Sequence, residues 1–311
     1  MLQNVALQWD RRDHGNRQCE SPGFCRFKLE AVEMVTRQIQ YLRKLSLNVT
    51  PFLGGLALVV LGAAVPMHCR ARAVQVAEVS TGLAFSESEV SAYAAEARNK
   101  FLDRMSAWRV KTCPQDCERV RGVWARLQPV LRAQQPGNPP TLQLELINSP
   151  DVDALSFADG TIFISTAFLK RSDLDDSQIA FVLAHEASHI LMQHERQTLT
   201  SAMALMAPTQ LQSAADIYAE IAERFFTLDD ALTLIAHQTE FEADEVGLEI
   251  AALAGFNPHA QLAFMRSLAV KGEAESMVST HPRATLRLEK LQARLPLVTR
   301  LYAAGVNDSS K

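Results

Sequence analysis

The sequence predicts an α+β fold, mostly helical, with a small β-sheet beside one functional helix. Three observations predict it. Two runs, 181–194 and 230–247, are free of proline and carry apolar residues at helical spacing. Two short runs read as strands: 142–147 alternates in polarity, and 161–165 is rich in β-branched and aromatic residues. Asp159-Gly160 marks a turn just before the second of them. At 311 residues, 48% hydrophobic and 21% charged, the chain can bury a core as one domain with at most a small appendage. Its formal net charge of −4 gives no electrostatic ground for a nucleic-acid partner.

Taken in order, residues 1–33 are polar and mixed in charge, and no function is assigned to this extension. In 34–73 a basic stretch (Arg37, Arg43, Lys44) precedes an uncharged apolar run at 52–65, and Ala71-Arg72-Ala73 follows as a small-x-small site. That is the order of a secretory signal peptide. The chain is therefore expected to be exported, either periplasmic or membrane-associated and facing the periplasm. The run at 52–65 is shorter than the ~20 residues of a membrane span; retained uncleaved, it would associate the chain with a membrane. Residues 74–311 then form the main domain, with a helical N-terminal part at 86–135 and a core part at 141–295.

Ser86 and Glu89 have the spacing of a capping box and open a helix running to about Val110. A second helix, 114–134, carries an apolar stripe of Val120, Val123, Trp124, Leu127, Val130 and Leu131. Cys113 and Cys117 fall at its cap and first turn, where Cα atoms ~6 Å apart permit a disulfide; a shared metal is the alternative. The proline-rich run 135–140 is a linker. The strand 161–165, placed at a sheet edge beside a cleft, would offer free backbone groups to an extended peptide. Ser172 and Asp173 are N-cap candidates for the helix that follows, with Asp175 and Asp176 suited to its positive end. The segment 199–226 includes the apolar run 201–208, which is too short and interrupted to cross a bilayer and, with Met203 and Met206, serves as packing or as a cover. Gly255 suits the C′ position of the helix through 230–247, and 282–301 reads as a terminal amphipathic helix.

The chemistry lies in two of these helices. His185-Glu186-Ala187-Ser188-His189 is an H-E-x-x-H, and on a helix its histidines stand one turn apart on one face, able to share a metal ion. Glu186 lies beside them, placed to take a proton from a water held there. Zinc needs a third protein ligand and an open position. His194 falls ~140° round a continuous helix and is read as a supporting or packing residue. Glu240 is the better third ligand, because Ala243, Gly247 and Ala251 are small and would let the two helices approach closely. Asp244, one turn on, could accept a ring N–H from a ligand histidine and fix its tautomer. Glu242 and Glu245 fit a solvated acidic face.

His185-Glu186-x-x-His189, Glu240-x-x-Ala243-Asp244 and Thr280-His281-Pro282 with Arg287 resemble the HtpX-like and CAAX-prenyl-protease-like zinc metallopeptidases. The likeness extends to 153–166, similar to the strand–turn–strand these enzymes place before the active-site helix, and covers roughly 141–290. Asp153 is a departure, standing where the family has Asn. The resemblance implies a zincin fold of the gluzincin type and one Zn2+ held by His185, His189 and Glu240. It also implies Glu186 as general base and roles near the metal for His281 and Arg287. His281 would act either as a donor to the reaction oxyanion or as a latch on the open zinc position. The expected function is a zinc metalloendopeptidase acting on proteins or peptides outside the cytoplasm, in the quality control of misfolded or envelope proteins. The alternative is a zinc-fold holdase or assembly factor with little proteolysis.

Overall fold

The computed structural model describes residues 83–110, 115–134, 141–206, 212–223, 225–272 and 284–308. The expectations for 1–33, for the signal or anchor at 34–73, for Cys113, for the linker and for His281 lie outside them. The chain order is helix α1 (Glu87–Arg104), a 3-10 turn (Ser106–Trp108), α2 (Gln115–Ala133), β1 (Gln143–Ile147), β2 (Ala154–Ser156) and β3 (Thr161–Ser165). Among the described residues, helices then follow without further strands: α3 (Thr166–Ser172), α4 (Asp176–Leu191), α5 (His194–Met206), α6 (Ala214–Glu223), α7 (Phe225–Leu253), α8 (Pro258–Gly272) and α9 (Ala284–Asp308). This is the mostly helical α+β arrangement with a small sheet that the sequence predicts. Among the described residues no helix is long and apolar enough to cross a membrane.

The strands form a three-stranded sheet in the order β1-β3-β2, with β1 parallel and β2 antiparallel to β3. The strand 161–165, considered above as an edge beside a cleft, is the central one. All five of its residues are buried, because Thr161-Ile162-Phe163-Ile164-Ser165 is apolar enough to be covered on both faces. Ile162 and Ile164 join the core around α4, while Phe163 packs against Phe101 of α1 and Phe157, with ring centroids 5.0 and 5.8 Å away. The edge beside the helices is β2. Its turn into β3 follows the predicted Asp159-Gly160: Asp159 Oδ1 accepts from the Thr161 amide at 3.1 Å, and Gly160 takes a positive φ of 99°.

Helix α4 is buried on nearly every face by α7, α2, α8 and β2, as its apolar sequence requires. Its N-cap is Asp175 rather than Ser172 or Asp173. Asp175 and Gln178 exchange backbone and side-chain hydrogen bonds at 2.9 Å as a capping box, while Ser172 ends α3 and Asp173 closes it in the left-handed conformation. At Ser86 only half of the predicted box forms. The Ser86 hydroxyl accepts from the Glu89 amide at 3.1 Å, but the Glu89 carboxylate accepts from the Ala214 amide at 2.8 Å and so ties α1 to α6.

Helix α7 lies along α4 and α9 and begins before the predicted 230. Its end is as predicted: Gly255 takes a φ of 77°, with the Gly255 and Phe256 amides donating to Ala252 and Ala251 carbonyls at 3.0 Å. Helix α8, not assigned from the sequence, starts behind Asn257, whose side chain accepts from the His259 amide at 3.0 Å, with Pro258 in the first helical position. Cys117 is buried on α2.

Candidate metal centre and active site

The predicted close approach of α4 and α7 is present, and it sets the site. A Cβ on Gly247 would lie 2.8 Å from the backbone nitrogen of His185 and 2.9 Å from its Cα, closer than side chains pack. Ala243 and Ala251 on the same helix are fully buried. With the backbones this near, Glu240 reaches the histidines across the seam.

His185 and His189 direct their Nε2 atoms at one another, 3.1 Å apart. Glu240 closes the triangle, with one carboxylate oxygen 3.5 Å from His185 Nε2 and the other 3.4 Å from His189 Nε2. A tetrahedral ion with bonds of about 2.0–2.1 Å needs donor atoms about 3.3 Å apart. The triangle has that size, and two imidazoles with a carboxylate are a donor set zinc accepts. Among the described residues, His185, His189 and Glu240 are the grouping able to hold a metal. The surroundings also favour a cation. Burial alone would lower the pKa of His185, yet it is raised, because the hydrogen bond with Asp244 and the charges of Glu240 and Asp244 outweigh burial.

Each histidine has a group behind it. His185 Nδ1 stands 3.0 Å from Asp244 Oδ1, the partner suggested by the one-turn spacing of Glu240 and Asp244. Arg287, which the family pattern brought in, grips Asp244 from α9 with Nε at 2.6 Å and Nη2 at 2.7 Å, and its Nη1 lies 3.6 Å from Glu240. Burial would raise the Asp244 pKa, but the charge and hydrogen bonds of Arg287, with those of His185, hold it below the usual range. Behind His189 is His194, the two Nδ1 atoms 2.9 Å apart. His194 Nε2 in turn lies 3.4 Å from a Glu242 oxygen. Burial brings the His194 pKa down to about 4 against the opposing hydrogen bond of Glu242, so the ring is neutral at pH 7.

The geometry behind His194 differs from the continuous helix expected over 181–194. Helix α4 ends at Leu191, Gln193 turns left-handed with a φ of 54°, and α5 starts at His194. The Gln197 side chain donates to the freed Met192 carbonyl at 2.7 Å. This reversal swings His194 back over His189. Glu242, expected on a solvated acidic face, is drawn inward by His194, whose hydrogen bond lowers its pKa. No glycine, proline or asparagine announces the break, so the sequence carries no ordinary signal for it.

Glu186 is the other predicted residue that finds an unpredicted partner. Its Oε2 accepts from the Ser156 hydroxyl on β2 at 2.8 Å. A signal for Ser156 existed: the period of two puts it on the same face as Ala154, inward against α4, where a polar residue needs a partner. The chain beyond β2 is also fastened, since Glu195 of α5 accepts from the Ala158 amide at 3.2 Å and from the Tyr218 hydroxyl. Asp153, the departure from the family pattern, ion-pairs with Arg171, and its carbonyl accepts from the Ser165 amide at 2.8 Å.

Comparison with known proteins bears on the same stretch. Residues 114–295 match the profile of Peptidase family M48. The Beta-barrel assembly-enhancing protease of Yersinia pestis is 29% identical over 163 residues, covering 48% of this chain and 33% of the relative. The Mitochondrial metalloendopeptidase OMA1 of Schizosaccharomyces pombe is 28% identical over 160 residues, covering 50% and 47%. The Metalloprotease YcaL of Escherichia coli (strain K12) is 24% identical over 151 residues, covering 47% and 59%. The alignments thus span between a third and three fifths of these relatives' lengths. The profile match, in contrast, runs over more than half of this chain and takes in α4, α7 and the Arg287 turn of α9, so the chain belongs to peptidase family M48.

Proposed function

We propose that the chain is a zinc-dependent metalloendopeptidase that cleaves proteins outside the cytoplasm. The observation that carries the reading is the buried triangle of His185, His189 and Glu240 with the Glu186 carboxylate beside it. Zinc at this triad supplies a Lewis acid that polarises the scissile carbonyl and makes water nucleophilic near neutral pH. Glu186 takes the proton of the attacking water and passes it to the leaving amine. Asp244, fixed by Arg287, holds the Nδ1 proton of His185, and His194 does the same for His189, so both Nε2 lone pairs stay turned inward. An extended substrate pairs with the free side of β2, the strand that lies against α4, rather than with the central β3.

The proposed setting is the cell envelope. Support comes from the signal-like order of residues 34–73 and from relatives named for enhancing β-barrel assembly. The mitochondrial relatives show that the family is not confined to one compartment. Unfolded or unassembled proteins are the proposed substrates. A purely binding role is disfavoured by Glu186, since a holdase has no use for a carboxylate held at the edge of a metal triad.

The decisive experiment is hydrolysis of casein by the purified, zinc-loaded chain, with and without a chelator. Glu186→Gln should retain zinc and fold while losing ~10²-fold or more in rate, the scale of a lost general base. Near-normal turnover by that variant would remove Glu186 from the mechanism. A wild-type protein that carries zinc but leaves casein intact would favour the holdase instead.

A further inference from the structure

We propose that Ser156 is a positioning residue for Glu186: its hydroxyl, on the edge strand against α4, binds Oε2 of the carboxylate and leaves Oε1 for the attacking water. This rests on the reading of Glu186 as general base. The Ser156 Oγ lies 2.8 Å from Glu186 Oε2, and since a carboxylate only accepts, the hydroxyl is the donor.

The donor is well fixed. Ser156 sits opposite Ile162 in the β2–β3 register. One residue on, the Phe157 amide donates to the Thr161 carbonyl at 2.9 Å, and the next amide, that of Ala158, is held by Glu195. The inward direction of the side chain follows from the pleat, because Leu155 points the other way into the cluster of Phe101, Phe157 and Phe163. A rigid strand therefore presents one hydroxyl to one carboxylate oxygen.

Glu186 needs such a restraint. A glutamate side chain has several rotamers, and holding the one that faces the water costs conformational entropy that a fixed partner offsets. Arg287 is a competing cation: against burial its pKa is raised first by the charge and hydrogen bonds of Asp244, then by the charges of Glu240 and Glu186. That guanidinium already makes two bonds to Asp244. A carboxylate drawn to Arg287 would leave the water without its base and disturb the clamp behind His185. The bond from Ser156 holds Glu186 on the strand side. It also links substrate capture to chemistry, because the strand proposed to pair with the peptide backbone is the one that aims the base.

The test uses the full zinc-loaded chain, labelled casein and steady-state kinetics at one pH. Ser156→Ala should lower kcat on the order of tenfold, the worth of one hydrogen bond to a charged group, with KM within about twofold of wild type. Zinc content and melting temperature should be unchanged. Ser156→Thr keeps the hydroxyl on a residue suited to a strand and should restore most of the rate. In a Glu186→Gln background, Ser156→Ala should cost nothing further, because the group it serves is gone. Wild-type kcat in Ser156→Ala, no recovery in Ser156→Thr, or a full additional loss in the Glu186→Gln background overturns the proposal. So does a loss of rate that tracks a loss of zinc or melting temperature. Each of those results leaves the proteolytic reading standing, whereas a zinc-loaded wild-type chain that cleaves nothing overturns both.

Discussion

His185 and His189 each turn one ring nitrogen toward Glu240 and the other toward a group that fixes it, but the two supports differ in kind. Behind His185 stands an anion, Asp244, itself held by two bonds from Arg287. Behind His189 stands a neutral ring. With Nε2 of His189 reserved for a metal, its proton sits on Nδ1 and is donated to Nδ1 of His194. The remaining proton of His194 then lies on Nε2, toward Glu242. Glu240→Ala should therefore abolish stoichiometric zinc, whereas His194→Ala should keep it at an affinity weaker by roughly 10–100-fold, the usual scale for an outer partner of a metal ligand. Metal analysis of the purified variants, followed by competition with a chromophoric chelator, measures both. Zinc retained in Glu240→Ala and lost in His194→Ala would exchange their roles. Much of this was legible in the sequence, since helical spacing alone pairs His185 with His189 and Glu240 with Asp244. Glu242 was not, because its role depends on a chain reversal that no local pattern spells out, and Ser156 was only in part, since strand alternation turns it inward but does not name Glu186 as its partner.

At the scale of elements, the site depends on how near α7 comes to α4, and Gly247 is where that distance is decided. A methyl group there meets the backbone of His185, which cannot swing aside as a side chain would. Gly247→Ala should force the helices apart and cost about 1–3 kcal/mol, the range for overpacking a tight contact, even though alanine is the better helix former. Because Glu240 and Asp244 ride on the same helix, zinc affinity should fall as well. Thermal melting and zinc titration together test this, and a variant as stable and as tight-binding as wild type would show that the seam can relax. The small residues that permit the approach were visible as a periodic set. The position of β3 was not, since three apolar residues between Thr161 and Ser165 read equally as an edge or a centre until β2 is known to flank them. Likewise, the break after Leu191 rests on a left-handed glutamine, a conformation the residue type does not advertise.

Across the whole molecule, the metal triad stands at a crossing of elements rather than on one of them. Helix α4 brings both histidines, α7 brings Glu240 and Asp244, α9 brings Arg287, and β2 reaches the same helix turn through Ser156. The charged groups at this crossing are deeply buried, with Glu240 exposed to 7% and Asp244 to 1%. Buried charge is tolerated only where it is paired, and a divalent ion balances what Arg287 alone must otherwise offset. Zinc should therefore act as a structural clasp between α4 and α7 as well as a reagent. A ligand that binds only the folded state stabilises it by about 4 kcal/mol at a thousandfold excess over its Kd. In a domain of this size each kcal/mol moves the midpoint by about 2–4 °C, so chelation should lower the melting temperature by roughly 10 °C. Two variants separate the clasp from the chemistry. Glu186→Gln should show the same drop on chelation, because it leaves the ligands intact. Glu240→Ala should melt low from the start and respond little to the chelator. Equal melting temperatures with and without zinc in the wild-type chain would mean that the helices hold the triad in place unaided, and that the ion contributes to catalysis alone.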